Sequence, residues 1–394
     1  MLDLLSPALQ DPILSLSVAF REDNRAEKMD LGIGVYKDSQ GNTPIMKAVK
    51  AAQQQLAESQ TTKSYVGLAG SEAYNQAMTD LLLKGTDGYS RSAAVQTPGA
   101  SGALRMLADL MYLAKPITTV WISNPSYVNH KPVMEAAGLT VKFYPYFNAE
   151  TKQVDADAMI DALSKAGPDD VVLLHGCCHN PTGADIRPEH WQAINDLAQK
   201  NGFTPFVDIA YQGFGDGLEE DANGLRLLAD SVEEMLIATS CSKNFGLYRE
   251  RTGAAIVIGK NAQEAGNAKG RILQLARATY TMPPDHGAAI VETILTSDEL
   301  TKQWKDELDT MRGRIITLRD GLSAALAKRT GDDRFDFIKE HKGMFSMLGL
   351  SQDQVEQLRS DFGIYAVGDS RINVAGLTES RIDYLADALI AVAK

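Results

Sequence analysis

Cysteine is scarce. The chain of 394 residues has three, and two of them, Cys177 and Cys178, are neighbours, so a disulfide framework is excluded and a reducing compartment fits. Positive charge is also short, with 39 Lys and Arg against 51 Asp and Glu, which gives a net charge of −12. An acidic surface opposes general binding to nucleic acid or anionic membrane, so an anionic ligand must be caught in a local basic pocket. Long hydrophobic runs are missing too: no stretch of about 18 apolar residues occurs, and Met1 to Pro7 places no basic segment ahead of an apolar one. The expectation is a soluble, cytoplasmic protein. There is no internal repeat, low-complexity tract or obvious flexible linker, and neither a P-loop nor a Gly-x-Gly-x-x-Gly fingerprint.

What remains is ordinary globular composition, 44% hydrophobic and 23% charged, at a length that suggests about two or three domains. From about residue 94 to 260, short apolar runs alternate with helical patterns, as in an α/β fold with a mostly parallel sheet. The strand candidates are Thr119 to Ser123, Val171 to His175, Phe203 to Asp208, Leu236 to Thr239 and Ala254 to Ile258, with Pro205 suggesting that its strand begins after it. The last two are too close for a crossover helix, so they are antiparallel or joined by an unusual loop. A helix starts near Ser101 and stops at Pro116, and another runs from Pro188 to Gly202. Trp304, Leu308, Met311, Ile315, Leu318, Leu322 and Ala325 recur at helical spacing, which predicts a long packed helix joining two domains. Beyond it, strand candidates Phe335 to Ile338, Met344 to Leu348 and Ile364 to Val367, and a helix opened by Ser351 with Gln354, describe a smaller α+β domain.

Reactive residues gather just after the apolar runs, where open α/β sheets bind ligands. Thr97 to Gly102 is either a phosphate cradle at a helix N-terminus or a plain turn. His175 to Gly183 holds four residues of zinc-ligand type, but no second ligand pair accompanies them, and Asn180-Pro181-Thr182-Gly183 reads as a rigid turn that presents an amide. Asp208 leaves a strand end, a place where helix caps are common, with Tyr211 three residues on. Lys243 lies among small hydroxyl residues eight positions before Arg251, where an amine can be desolvated and serve as a Schiff-base nucleophile. Arg277 and Arg371 sit beside small or apolar residues and suit a carboxylate fork, although a surface ion pair is the commoner role.

Together these segments, from Leu31 to Asp38 through to Arg371 to Gly376, resemble the class I aminotransferases dependent on pyridoxal 5′-phosphate (PLP) over essentially the whole chain. Within that family, His175 to Gly183, Ala210 to Gly217 and Ser240 to Gly253 look closest to the bacterial aromatic-amino-acid branch. The resemblance implies the type I PLP-transferase fold: an N-terminal arm (1–12), a large cofactor domain (40–305) and a small domain built from 13–39 and 306–394. It makes Lys243 the amine that holds PLP and shuttles the substrate proton, and Asp208 the partner of the ring nitrogen, with Tyr211 and Asn180 on the phenolic oxygen. The phosphate falls to Gly99, Ala100, Ser101, Ser240 and Arg251, with Tyr65 reaching in from the neighbouring subunit of a homodimer. Arg371, Asn180 and Gly34 take the substrate α-carboxylate, and Arg277 crosses from the other subunit to clamp a distal carboxylate.

Two departures stand out. Tyr127 occupies the place where the family usually stacks a tryptophan, so an indole N–H is exchanged for a differently placed hydroxyl. Ala100 replaces a usual glycine and is tolerated with negative φ. The implied activity is transfer of the amino group of tyrosine, phenylalanine or tryptophan, and also of aspartate, to 2-oxoglutarate in two half-reactions; the alternative is an aspartate aminotransferase with little aromatic activity. A DNA-binding regulator on the same fold is opposed by the −12 charge and by the lack of a basic extension, and a nicotinamide dehydrogenase by the missing glycine fingerprint.

Overall fold

The fold is described from a computed structural model covering residues 1–7 and 12–393, so part of the expected arm (1–12) lies outside the described residues. The strands in chain order are β1 (Met29–Asp30), β2 (Ser92–Pro98), β3 (Thr119–Asn124), β4 (Thr140–Pro145), β5 (Asp170–His175), β6 (Thr204–Ile209), β7 (Met235–Ser240), β8 (Thr252–Ile258), β9 (Phe345–Met347), β10 (Ile364–Tyr365) and β11 (Arg371–Asn373). Seven of them form one sheet in the order β2-β8-β7-β6-β5-β3-β4. Within it β8 runs antiparallel to both neighbours, while β7, β6, β5, β3 and β4 are parallel. The short β7–β8 segment is therefore an antiparallel connection. A mixed α/β fold with a large, mainly parallel sheet is what the alternation of runs and helices predicts.

Both sheet faces are buried, which explains why these strands read as continuous apolar runs rather than as alternating patterns. Leu173 and Phe206 belong to one hydrophobic cluster, whereas their neighbours Val172, Leu174 and Val207 belong to the other. A third cluster joins Met29 and Leu31 to residues from Leu318 onward. The 33-residue helix Asp298–Thr330 feeds two of these clusters: Trp304, Leu308 and Ile315 pack with the sheet, and Leu318, Leu322 and Leu326 with the C-terminal elements. Ser351 and Gln354 make the expected capping box at the start of Gln352–Phe362.

Two expectations are corrected. Pro205 lies inside β6 rather than before it, paired with Val172. It precedes the first β6–β7 pair, Phe206↔Leu236, so on that side no ladder bond exists for its missing N–H to break. The segment Phe335 to Ile338 is not a strand; a helical turn runs over Phe337–Glu340. Phe335, Phe337 and Ile338 are all buried, and Asp336 accepts from Lys339 one turn on (2.6 Å) and from Ser323 (2.9 Å). A four-residue apolar run cannot separate strand from helix by periodicity. Strands β1, β2, β4 and β11 are additional to those expected.

Candidate active site

Strands β5, β6 and β7 end level with one another. His175 pairs with Asp208, and Asp208 with Ala238, while Ser240 faces Gly253 and Pro98 faces Thr252 across the antiparallel ladders. The C-terminal ends of four strands thus emerge on one edge of the sheet, where ligands bind in open α/β folds. A cavity opens there. Asp208 and Ser240 enter it from the strand ends, Ala100 and Ser101 from the helix after β2, and Lys243 and Arg251 from the β7–β8 connection. Gly34, Tyr127, Asn180 and Tyr211 complete its wall from loops.

At one pole the helix Gly99–Ala114 begins without a side-chain cap, which leaves its first N–H groups for a ligand. Gly99 has φ +68°, and a Cβ there would lie 2.6 Å from Nη2 of Arg251, so glycine is required for the close approach. Ala100 is already helical and is not among the positive-φ residues, so its methyl group is accommodated. Arg251 donates through Nη1 to the Tyr248 carbonyl (2.9 Å) and to Ser242 Oγ (3.4 Å), and otherwise faces solvent. The pole is cationic and rich in N–H and O–H donors, which suits a phosphate.

The middle of the cavity holds an amine and an acid. The loop after β7 is pinned by the long helix: Trp304 donates to the Asn244 carbonyl (2.7 Å) and stacks on Phe245 at 4.3 Å. That fixes Lys243, whose Nζ lies 4.7 Å from the Tyr211 ring centre. Burial pulls the Lys243 ammonium down to about 8; Asp208 opposes the shift, and Arg251 and Arg371 add to it. Asp208 accepts from His130 (2.8 Å), while its Oδ1 is buried without a partner. Burial pushes this carboxyl up, but the His130 hydrogen bond and the nearby imidazoles and amine outweigh it, leaving the pKa below the ordinary value. Asp208 is thus a buried, ionised acid and not a helix cap.

The protons behind Asp208 run in one direction. The Asn180 N–H donates to His175 Nδ1 (3.4 Å), so His175, held neutral by burial, carries its proton on Nε2. That nitrogen meets Ser126 Oγ at 3.3 Å, and the hydroxyl is left to donate to His130 Nδ1 (2.9 Å). His130 then presents Nε2–H to the Asp208 carboxylate.

At the other pole Arg371, 5% exposed, donates to Asn180 Oδ1 (3.0 Å) and to the Gly32 carbonyl (2.9 Å), and its Nε has no partner. Its guanidinium lies 4.3 Å from the Phe345 ring centre. A Cβ on Gly34 would come within 2.8 Å of the same ring, so the backbone approaches the cavity there only as glycine. Burial raises the Tyr211 phenol well above its usual value, so it stays a neutral donor.

Tyr65 and Arg277 do not reach this cavity within the chain. Tyr65 is 88% exposed, and Arg277 is exposed in the last turn of Ala262–Thr279. Cys177 and Cys178 approach Asp221 within 4.8 Å, but Asp221 already accepts backbone N–H bonds from Gly213, Gly215 and Asp216 at 2.8–2.9 Å and fastens that turn. Sequence reasoning gave no role to His130, Ser126, Tyr248 or Phe345, and treated His175 only as a metal-ligand type. A signal existed for His175 alone, an imidazole that ends an apolar strand.

The sequence model of the family "Aminotransferase class I and II" matches residues 26–389. The aromatic-amino-acid aminotransferase of Paracoccus denitrificans is 48% identical over 392 residues, and the aspartate aminotransferase of Salmonella typhi 46% identical over 395, each alignment covering 100% of both chains. The crystal structure of the aromatic-amino-acid aminotransferase from Burkholderia pseudomallei, covalently bound to pyridoxal phosphate, matches with a TM-score of 0.97 at 39% identity over 100% of each chain. With these likenesses covering its whole length, and an amine and an acid facing one cavity, the chain belongs to the class I and II aminotransferases and is a PLP-dependent enzyme.

Proposed function

We propose that this aminotransferase takes the amino group of tyrosine, phenylalanine or tryptophan, and also of aspartate, and passes it to 2-oxoglutarate in two half-reactions at one site. The observation that carries the reading is that Lys243, Asp208 and Arg251 line a single cavity, with Arg371 hydrogen-bonded to Asn180 on its wall. The residues fit PLP. Asp208 Oδ1 is a buried oxygen awaiting a donor, and the Gly99–Arg251 pole is a cradle that a Cβ would fill. Once bound, PLP supplies the electron sink for the pair left on the substrate Cα when its proton departs.

The chain supplies the rest. Lys243 would hold the cofactor and, with a proton affinity near neutrality, take the Cα proton and return it. Asp208, kept ionised and oriented by His130, would hold a proton on the ring nitrogen; at about 4 Å such a pair is worth on the order of 4 kcal/mol at an effective dielectric of 20. Tyr211 and Asn180 would donate to the phenolic oxygen, and Ser101, Ser240, Arg251 and the N–H groups near Gly99 and Ala100 to the phosphate. Arg371 would fork the α-carboxylate beside Gly34, with Tyr127 stacked on the ring.

A homodimer with shared sites is part of the proposal, Tyr65 and Arg277 each serving the neighbouring subunit. Its support is their exposure and the Val66 N–H to Met282 Sδ contact (3.2 Å), which brings their two segments onto one surface. The division into an arm (1–12), a large domain (40–305) and a small domain (13–39 with 306–394) draws support from the cluster joining Met29 and Leu31 to the C-terminal elements. No helix among the described residues is long and apolar enough to cross a membrane. The cytoplasmic setting belongs to the proposal and draws support from three buried free thiols. The second reading, an aspartate enzyme with little aromatic activity, is favoured by the 46% identity to an aspartate aminotransferase. The kcat/KM values for phenylalanine and aspartate decide: a preference for aspartate of about a thousandfold, roughly 4 kcal/mol, refutes the first reading.

A further inference from the structure

Arg319, on the second half of the long helix, is a buried cation, 2% exposed, whose hydrogen bonds among the described residues all go to carbonyls and a hydroxyl and none to a carboxylate. Its terminal nitrogens serve one segment, 338–346, which runs from the helical turn into β9, while its buried Nε has no hydrogen-bond partner. Nη1 donates to the Ile338 carbonyl (2.9 Å) and Ser346 Oγ (2.6 Å), and Nη2 to the carbonyls of Gly343 (2.7 Å), Phe345 (2.7 Å) and Lys342 (3.3 Å). Burying an unpaired charge costs stability, offset here only by the hydrogen bonds it donates. What the cation supplies is geometry, since carbonyls turned toward one point fix the path of the loop.

The opposite side of that loop bears on the substrate pole. The Lys342 N–H donates to Gly183 (2.7 Å) and the Met347 N–H to Thr182 (3.2 Å), which holds the turn that carries Asn180. Gly183, at φ +77°, lies so close that a Cβ would come within 2.1 Å of the Phe345 carbonyl oxygen, the atom that Arg319 binds. The Phe345 ring supports the Arg371 guanidinium from below. We infer that Arg319 is a positioning residue for carboxylate binding: without touching substrate, it sets Phe345 and the Asn180 turn, and through them the aim of Arg371. The inference rests on the proposed reading of Arg371 as the α-carboxylate fork.

The test uses the PLP-loaded enzyme and 3-phenylpropionate, a carboxylate that lacks the amino group and cannot react. In Arg319→Lys the Kd should rise about tenfold, because a small misaim of a fork is costly. In Ser346→Ala, which removes one acceptor and leaves the charge, it should rise about threefold. KM for phenylalanine and aspartate should rise in parallel, while the cofactor absorption and its pH titration stay unchanged. In an Arg371→Leu background neither substitution should weaken binding further. A lowered melting temperature with Kd within about twofold of the parent, or effects that multiply with Arg371→Leu, overturns the inference. Should Arg319→Lys fail to fold, Ser346→Ala decides by the same criteria. If Arg371→Leu alone leaves 3-phenylpropionate binding intact, it is the reading of Arg371 that fails.

Discussion

Lys243 makes the sharpest prediction, because its environment fixes a titration before any cofactor chemistry begins. An exposed lysine titrating near 10.5 is about one part in 3000 free base at pH 7, whereas one held at about 8 is about one part in 11. The sign follows from the cause: burial disfavours the ammonium, so the folded apoprotein loses this proton earlier than a solvated lysine does. The assay is reductive labelling of PLP-free protein with 4-nitrobenzaldehyde, an aldehyde with no titrating group, followed by mass and peptide mapping from pH 6 to 11. Labelling at Lys243 should climb about tenfold from pH 7 and level off near pH 9, and should vanish in Lys243→Arg. Asp208→Asn should move the midpoint lower, since the carboxylate is the group that stabilises the ammonium. A rate that keeps climbing tenfold per pH unit through pH 10, or a label on another lysine, would refute the assignment of a desolvated amine.

Gly99→Ala should weaken retention of pyridoxamine 5′-phosphate by about tenfold, since the new methyl group meets Arg251 and the backbone is left-handed; dialysis followed by cofactor absorbance measures this. Tyr127→Phe keeps the stack and deletes the hydroxyl, so KM for amino acids should rise about fivefold, the worth of one lost hydrogen bond, with cofactor affinity unchanged; an unmoved KM would place the hydroxyl away from substrate. Arg277→Leu should cut kcat/KM for aspartate by about a hundredfold and leave phenylalanine within about threefold, and equal losses on both would show that Arg277 is misplaced. Leu322→Ala, at a fully buried position in the C-terminal cluster, should cost about 2–5 kcal/mol in urea unfolding while the folded enzyme keeps its activity.

The legible parts were those whose signal is local. The helix beginning at Gly99, the Ser351 capping box and the short β7–β8 connection each follow from a few adjacent residues. That Asp208 and Lys243 share one cavity was readable because strand-end chemistry has a sequence address and a family resemblance behind it. What escaped depends on register and long-range contact. The Arg371–Asn180 bond spans 191 positions, and the His130–Asp208 bond 78, so no spacing announces them. Ser126 matters only because two imidazoles from different elements share its hydroxyl. Phe335 to Ile338 misled for the opposite reason: a short apolar run reads the same whether strand or helical turn, and only its packing under the long helix decides.

The electrostatics of the cavity carry a further consequence for how the base is timed. The chain is acidic overall, yet Lys243 and Arg251 line the cavity, with Arg371 bonded to Asn180 on its wall and Asp208 the one lining carboxylate among the described residues. After burial, the repulsion from these two arginines is what lowers the Lys243 proton affinity. They are also the groups placed to bind anions. An anion seated on Arg251 neutralises part of that repulsion, and a carboxylate on Arg371 removes more, so the amine becomes a stronger base once both poles are filled. With the arginines unneutralised, a larger fraction of Lys243 is free base than in a solvated lysine; with anions on them, the same residue has more appetite for the Cα proton. Inorganic phosphate added to the apoprotein should therefore move the labelling midpoint of Lys243 upward, and the shift should disappear in Arg251→Gln. A midpoint indifferent to phosphate in the parent protein would mean that the arginines act on the ligand alone and leave the base untouched.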